Sequence, residues 1–536
     1  MKQIAAIFLK DARRFWPEIT VNLLLLAALV LVYPVSWQHD STTAMAFGHV
    51  FAMGEGGKGF LASTLVVLIP VSWLVLIARV IHCERLVGNT QFWLTRPYEW
   101  PKLIGAKALF LATFLYLPFL LAQCILLVEA GFSPAAHIGG LFFNLLLVTI
   151  ILVLPTLALS ALTPGFARLL LVLLMFVVIV VLTMVVAAYA PRFGGSGTPD
   201  LISGDIAFCL LLAGTVASIA VMYARRQFKL GWIAFVGTLL LLWILSFVDP
   251  DRFLMTTFFP AAHAGTAPVQ ITYAAEGLRQ PIARETSDKD ELQIAVPVSA
   301  SLLQTGYAIV PQSIRVSIVG PGNTRWQSEW QHDNAANLLT GTNVSSFNFF
   351  IPRRIYERWK GAAVNLNVEF AVAGAREIKQ STIKLPTGDF PVEGFGVCTP
   401  WSWYPYKQEY TAVTCRSAMR QPTLTYITVP WAVESCSTTQ NTEDPEMLAT
   451  AWAGNLSTAP ADFGITSVWS IPVNLSNPWL MKPNERARPR LLCPGAPITF
   501  RQFQEADRMT LRMTVDDFRM PEIMSARMQV SVAEHE

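Results

Sequence analysis

The sequence predicts an α-helical polytopic membrane domain of about seven transmembrane helices, followed by an all-β, sandwich-like domain outside the membrane. Three observations predict it. Only 14% of the 536 residues are charged and 53% are hydrophobic, where soluble domains average about 25% charged. Apolar runs long enough to cross about 30 Å of hydrocarbon are confined to residues 1–248. Residues 249–536 hold 25 of the 40 basic residues, in short strand-type runs punctuated by Pro and Gly. The mean hydropathy of +0.43 and net charge of +3 fit a membrane protein whose charge is distributed unevenly.

Residues 1–18 read as an amphipathic helix that lies in the headgroup layer. Lys2, Lys10, Arg13 and Arg14 alternate with Ile4, Ile7, Phe8, Ala12 and Phe15 at helical spacing. Asp11 is out of place, because it falls inside the apolar arc. Ala44-Met-Ala46 is similar to a signal-peptidase site, but the apolar stretch ends well before it, which argues against cleavage.

The membrane domain is expected over 19–248. Spans fall near 19–37, 60–81, 108–128, 138–161, 167–189, 206–224 and 230–248. Backbone polar groups in lipid must be paired internally, so the spans are helices. Pro70, Pro118 and Pro155 lie inside them and need neighbours to take up the lost bond. Trp37, Trp73, Trp232 and Trp243 supply interface anchors. Ionisable residues are nearly missing from the spans, which argues against an ion-coupled carrier. With the amino terminus inside, inner segments hold thirteen basic residues and outer loops two, Lys58 and Arg192. This is a strong positive-inside bias. An odd number of spans then places the carboxyl-terminal half outside the plasma membrane.

Between the second and third spans runs a basic segment, 83–107. Glu84, Arg85, Arg96, Glu99, Lys102 and Lys107 provide charge, Pro97 and Pro101 break the chain, and Phe92-Trp93-Leu94 is apolar. An apolar run on a cytosolic loop needs cover, either from a partner protein or from the headgroup layer.

This segment resembles the coupling loop of type-2 ATP-binding cassette permeases. The resemblance rests on the acidic-basic pair Glu84-Arg85, the step Gly88 and Thr90, the run Phe92, Trp93 and Leu94, then Pro97 and the closing Lys107. It departs where Asn89 separates Gly88 from Thr90, and at Tyr98-Glu99-Trp100, where a small residue and an Arg are usual. It covers roughly the first 230 residues. The resemblance implies a short helix touching a cytosolic ATPase subunit, which binds ATP and Mg, and a second permease subunit, identical or related. Glu84, Arg85, Gly88, Thr90, Phe92, Trp93, Arg96, Pro97, Lys102 and Lys107 are then coupling contacts. No cofactor is expected in this chain.

A linker at 249–268 leads to the β-rich domain, 269–536. Strand-type runs occur at 269–273, 292–298, 314–319, 364–372, 424–429, 465–473 and 510–515. Residues 364–372 alternate apolar with polar or small, as a half-buried strand does. Cys398, Cys415, Cys436 and Cys493 fall in this half. Four cysteines in an oxidising compartment suggest two disulfides, with Cys398–Cys415 and Cys436–Cys493 as the nearest-neighbour pairing.

Chemistry was sought elsewhere. Gly54-Glu-Gly-Gly-Lys-Gly59 lacks the Ser/Thr of a phosphate loop and follows no strand, so any ATPase is another chain. There is no Gly-x-Ser-x-Gly elbow. His263, His332 and His535 form no cluster, and adjacent residues such as His82, Cys83 and Glu84 do not share a helix face. No metal site, catalytic cluster or basic stripe for nucleic acid emerges. The aromatic run Trp401-Ser-Trp403-Tyr404-Pro-Tyr406 reads as sandwich core or as a binding platform. Together these features point to the permease subunit of an exporter, or alternatively to a polytopic anchor that displays a β binding domain without transport.

Overall fold

The structure is a computed structural model. It describes residues 2–36, 57–83, 100–189, 201–225, 227–245, 251–261, 269–274, 281–285, 290–301, 303–332, 339, 344–393, 396–401, 412–418, 423–429, 446–452, 468–474 and 493–524. The helices are α1 (Lys2–Arg14), α2 (Trp16–Ser36), α3 (Gly57–His82), α4 (Trp100–Leu111), α5 (Leu117–Glu129), α6 (Ile138–Val148), α7 (Leu154–Leu162), α8 (Phe166–Tyr189), α9 (Leu201–Ala220), α10 (Phe228–Leu245) and α11 (Asp251–Phe258). Among the described residues six helical stretches are long and apolar enough to cross a membrane: Trp16–Pro34, Thr64–His82, Pro101–Glu129, Pro134–Leu162, Ile206–Ala224 and Phe228–Leu245. This corrects the expected seven. The segment expected at 167–189 is the helix α8, Phe166–Tyr189, of which Phe166–Ile179 is a shorter apolar stretch outside the six.

Pro118 and Pro155 are accommodated by local widening. Five-residue π turns, Ala112–Tyr116 and Thr149–Val153, run straight into α5 and α7, where Pro118 and Pro155 occupy the first turn. Proline has no N–H to offer the carbonyl four residues back, which for Pro118 is Phe114. The Asn22 side chain fills that place, donating from Nδ2 to the Phe114 carbonyl at 3.1 Å. Its Oδ1 accepts from Trp73 Nε1 at 2.7 Å. One buried amide from α2 therefore ties α3 to the turn between α4 and α5. Trp73 is 0% exposed and packs edge-on against Phe119. It is a core residue and not an interface anchor. Thr149 donates to the Tyr116 hydroxyl at 2.9 Å, linking the two π turns.

Contacts place the α1 end and the β half at opposite ends of the bundle. At one end His82 meets Thr163 Oγ1 at 3.1 Å and Trp232 Nε1 donates to the Leu162 carbonyl at 3.2 Å. The end of α3, the end of α7 and the start of α10 therefore lie together. At the other end, Phe132 beyond α5 abuts Gly396, and Gly131 faces Val397. Ile206 near the start of α9 packs with Met255, Phe259, Trp330 and Ala371. The β half is seated on that second end.

Strands β1–β16 follow in chain order: Gln270–Tyr273, Ile282–Glu285, Glu291–Ser301, Tyr307–Val319, Arg325–Gln327, Gln331–His332, Val344–Pro352, Ala363–Lys384, Phe390–Val392, Gly396–Trp401, Ala412–Ala418, Thr423–Val429, Glu446–Trp452, Val468–Asn474, Pro497–Arg519 and Ile523–Met524. They form sheets of five, four and seven strands. Pairing is antiparallel apart from β2 with β16 and a single bridge between Ala261 and Thr510. Each of the seven expected strand runs is found. The spine is β8 against β15, paired along almost their whole lengths. At about 3.3 Å per residue each spans roughly 70 Å, so the pair serves two cores. Near Val364–Val372 it packs with β4 against the five-stranded sheet around Phe347, Phe349, Phe370 and Trp359. Near Ile498–Phe503 it meets the four-stranded sheet through Phe390 and Phe500.

Between these regions lies a bulge at Glu505/Asp507. Tyr307 donates to Asp507 Oδ1 at 2.5 Å across Gly374, where any Cβ would overlap both groups. Burial, then the Asp507 carboxylate, hold the Tyr307 phenol well above its ordinary range. The segment 249–268 contains α11, and Met255 and Phe259 at and just beyond its end are buried. Beyond it, Thr510 bonds to the carbonyls of Phe259 and Pro260 at 2.7 and 2.9 Å.

Cys398 and Cys415 stand directly opposite each other on β10 and β11 and form a disulfide, the pairing expected. Cys493 is disulfide-bonded as well. Cys436, its expected partner, lies outside the described residues. Cys83, Cys124 and Cys209 are free thiols.

Two predictions follow from this architecture. Asn22→Leu should leave the Phe114 carbonyl and the Trp73 N–H unpaired, at a cost of about 1–3 kcal/mol for each buried group. The loss should shrink in a Pro118→Ala background, which restores an N–H for Phe114, and thermal unfolding of the four proteins in detergent measures the cycle. Separately, alkylation of the denatured, unreduced chain should modify three of its seven cysteines. Five modified thiols would show that Cys398–Cys415 stands alone.

Candidate functional site

The segment resembling a coupling loop begins where α3 ends and closes on α4. Glu84, Arg85, Gly88, Thr90, Phe92, Trp93, Arg96 and Pro97 lie outside the described residues. Lys102 and Lys107 stand on the first two turns of α4. Lys102 is half-buried, whereas Lys107 is buried. The structure therefore describes the two abutments of the segment and what holds them.

The chief support is α1, which lies against α4. Ile4, Phe8, Asp11 and Phe15 recur every three or four residues, so they share one helix face. A Cβ added at Gly105 would lie in van der Waals contact with Ile4. Phe8 stacks on Phe114 with centroids 5.6 Å apart. Asp11, only 1% exposed, pairs through Oδ2 with Lys107 Nζ at 2.7 Å. Lys107 also donates to the Val80 carbonyl on α3 at 3.1 Å. A single ammonium thus joins α1, α3 and α4.

The acid on the apolar arc of α1 is explained by this pair. A buried charge is tolerated when a partner and hydrogen bonds meet it. Asp11 Oδ1 has no hydrogen-bond partner among the described residues, so the carboxylate depends on Lys107.

A second ion pair braces the elbow between α1 and α2. Arg79, near the end of α3, pairs with Glu18 at the start of α2, and its guanidinium sits 5.9 Å from the Phe15 ring centroid. Asp11, Glu18, Asn22 and Arg79 are structural partners at this end that motif reading passed over. Their only sequence signal is polarity inside an apolar pattern. His82 is engaged by Thr163 across α3 and α7. Among the described residues, no group of three His, Cys, Asp or Glu side chains is placed to hold a metal ion.

The arrangement supplies mechanical connection: both abutments of the 84–99 segment are bonded into one unit made of α1, α3, α4 and the start of α2. No known protein family matches this chain, and no curated protein matches it in sequence.

Removing either member of the buried pair should be costly. Lys107→Met strands the Asp11 carboxylate, and Asp11→Leu strands the ammonium, each at about 3–5 kcal/mol. The double substitution should recover most of that stability. Thermal unfolding of the two singles and the double in detergent checks it, and additive losses would show that the pair does not act as a unit.

Proposed function

We propose that this chain is the membrane permease subunit of a type-2 ATP-binding cassette transporter, an exporter, driven by a separate cytosolic ATPase subunit that binds ATP and Mg. The observation that carries the reading is the fixing of both abutments of the coupling-like segment, through His82 with Thr163 and through Lys107 with Asp11 and Val80. A push on residues 84–99 would then move α1, α3 and α4 together and would not dissipate in loose ends.

Orientation follows from charge. The thirteen-to-two bias in basic residues assigns the α1 end to the cytosol. The β half, at the far end of the bundle, then lies outside, and a disulfide at Cys398–Cys415 suits an oxidising compartment. In the mechanism, ATP draws two ATPase subunits together and shifts the 83–107 segment. The spans of this chain and of a second permease subunit reorient, and cargo leaves on the side of the β half. The nearly uncharged spans suit a cargo with apolar character.

A second reading is a polytopic anchor that displays the β half without transport. Its support is the double seating of that half on the bundle, at Phe132 with Gly396 and at Met255 and Phe259 with Trp330, which fixes the display rigidly.

The two readings part on the coupling segment. Trp93→Ala with Arg96→Glu should abolish co-purification of an ATPase subunit and transport-linked ATP hydrolysis, while membrane insertion and abundance stay near wild type. Unchanged partner binding in the double variant would reduce the segment to a headgroup anchor and favour the display reading.

A further inference from the structure

Among the described residues, the elbow between α1 and α2 gathers more positive charge than is neutralised there. The helix breaks at Phe15, between Arg14 and Trp16, and the Phe15 ring is buried. The guanidinium carbons of Arg14 and Arg79 lie 5.8 and 5.9 Å from the centroid of that ring. Two cations from separate helices thus converge on one aromatic group. Glu18 pairs with Arg79, and Asp11 is engaged behind the elbow by Lys107. Arg13 and Arg14 are exposed, and the Arg79 side chain keeps 53% of its exposure. Among the described residues, Arg13, Arg14 and Arg79 therefore have one carboxylate, Glu18, between them.

Apolar surface adjoins this charge. Leu9 and Trp16, on either side of the arginines in sequence, are 53% and 64% exposed, and Val21, Leu23, Leu24 and Leu31 are exposed along α2. A small anion would use only the arginines. A molecule with an anionic head and long apolar tails would use both surfaces.

We propose that the α1–α2 elbow binds an anionic phospholipid, with its phosphodiester held by Arg14 and Arg79 and its acyl chains along the exposed flank of α2. Guanidinium groups match phosphate oxygens in geometry as well as charge, and basic residues beside a span attract anionic lipid. The assignment to the inner leaflet rests on the orientation argued under Proposed function; the headgroup chemistry does not. A lipid held there would touch α1 and α3, two of the helices that brace the coupling-like segment.

The full chain in a nonionic detergent, titrated with phosphatidylglycerol or phosphatidylcholine and read by native mass spectrometry, tests this. Phosphatidylglycerol should bind more tightly, by about fivefold for each arginine engaged. Arg14→Gln removes an exposed side chain outside any ion pair among the described residues, so folding should survive. It should weaken phosphatidylglycerol about fivefold and leave phosphatidylcholine unchanged. Arg79→Gln with Glu18→Gln, which strands no carboxylate, should weaken it similarly. Arg358→Gln, at an exposed position in the β half, should have no effect. Equal affinity for the two lipids, wild-type binding by Arg14→Gln, or displacement of the lipid by inorganic phosphate would each overturn the proposal. Selective lipid binding by a chain that recruits no ATPase would keep this site and remove the permease reading; recruitment without lipid selectivity would do the reverse.

Discussion

The contact between Asp11 and Lys107 is the constraint on which the rest of the membrane half depends. A short helix that is charged on one side would ordinarily rest on the bilayer surface. Here a buried carboxylate ties it to α4, and the same ammonium reaches the Val80 carbonyl of α3. The pair contributes more to placement than to net stability, because desolvating two charges offsets much of their attraction. Its consequence is positional. With Phe8 on Phe114 and Ile4 beside Gly105, α1 becomes part of the helical core. The chain leaving α3 and the chain entering α4 are therefore held in register with it.

The second layer of order is a repair of backbone chemistry. Pro118 frees a carbonyl at Phe114, and lipid offers nothing to pair it. Asn22 supplies the missing donor from α2 and uses its own oxygen to hold Trp73 from α3. The proline and the asparagine each look unfavourable in an apolar run, yet together they satisfy three polar groups. Each half was visible in the sequence as an anomaly. Matching them was not possible there, because the partners are 92 positions apart and no periodicity relates them. The same holds for Asp11 and Lys107, where an acid on an apolar arc stood out in the sequence but its partner, 96 positions on, did not.

The β half was legible in kind and less so in extent. Every apolar strand run was found, but the run at 510–515 is the middle of a strand from Pro497 to Arg519. The rest was hidden because charge replaces apolar alternation. Arg501 pairs with Glu377 and Arg512 with Glu369 across the β8–β15 ladder. Such cross-strand pairs hold a sheet as apolar neighbours do, yet they read as loop. The seven apolar runs in the membrane half were likewise read by composition alone. Length and hydropathy among the described residues count six spanning stretches, while the run at 167–189 is the helix α8, Phe166–Tyr189. The candidate coupling residues remain a reading of sequence from Glu84 to Pro97, and only Lys102 and Lys107 gain a place in the fold.

Both ends of the bundle are joined to what they carry by bonded contacts and not by chain alone. At one end an ammonium and a guanidinium knit α1, α2, α3 and α4. At the other, Thr510 of β15 bonds to the backbone at Phe259 and Pro260, just beyond α11, and Phe132 beyond α5 abuts β10 beside the Cys398–Cys415 disulfide. Since α5 continues α4 through the π turn that Asn22 braces, one helical line runs from Lys107 to Glu129, and Phe132 follows after a short turn. A displacement of α4 at its Lys107 end would therefore be delivered, through packed helix and the short turn at Ala130–Gly131, to the strand pair that the disulfide staples.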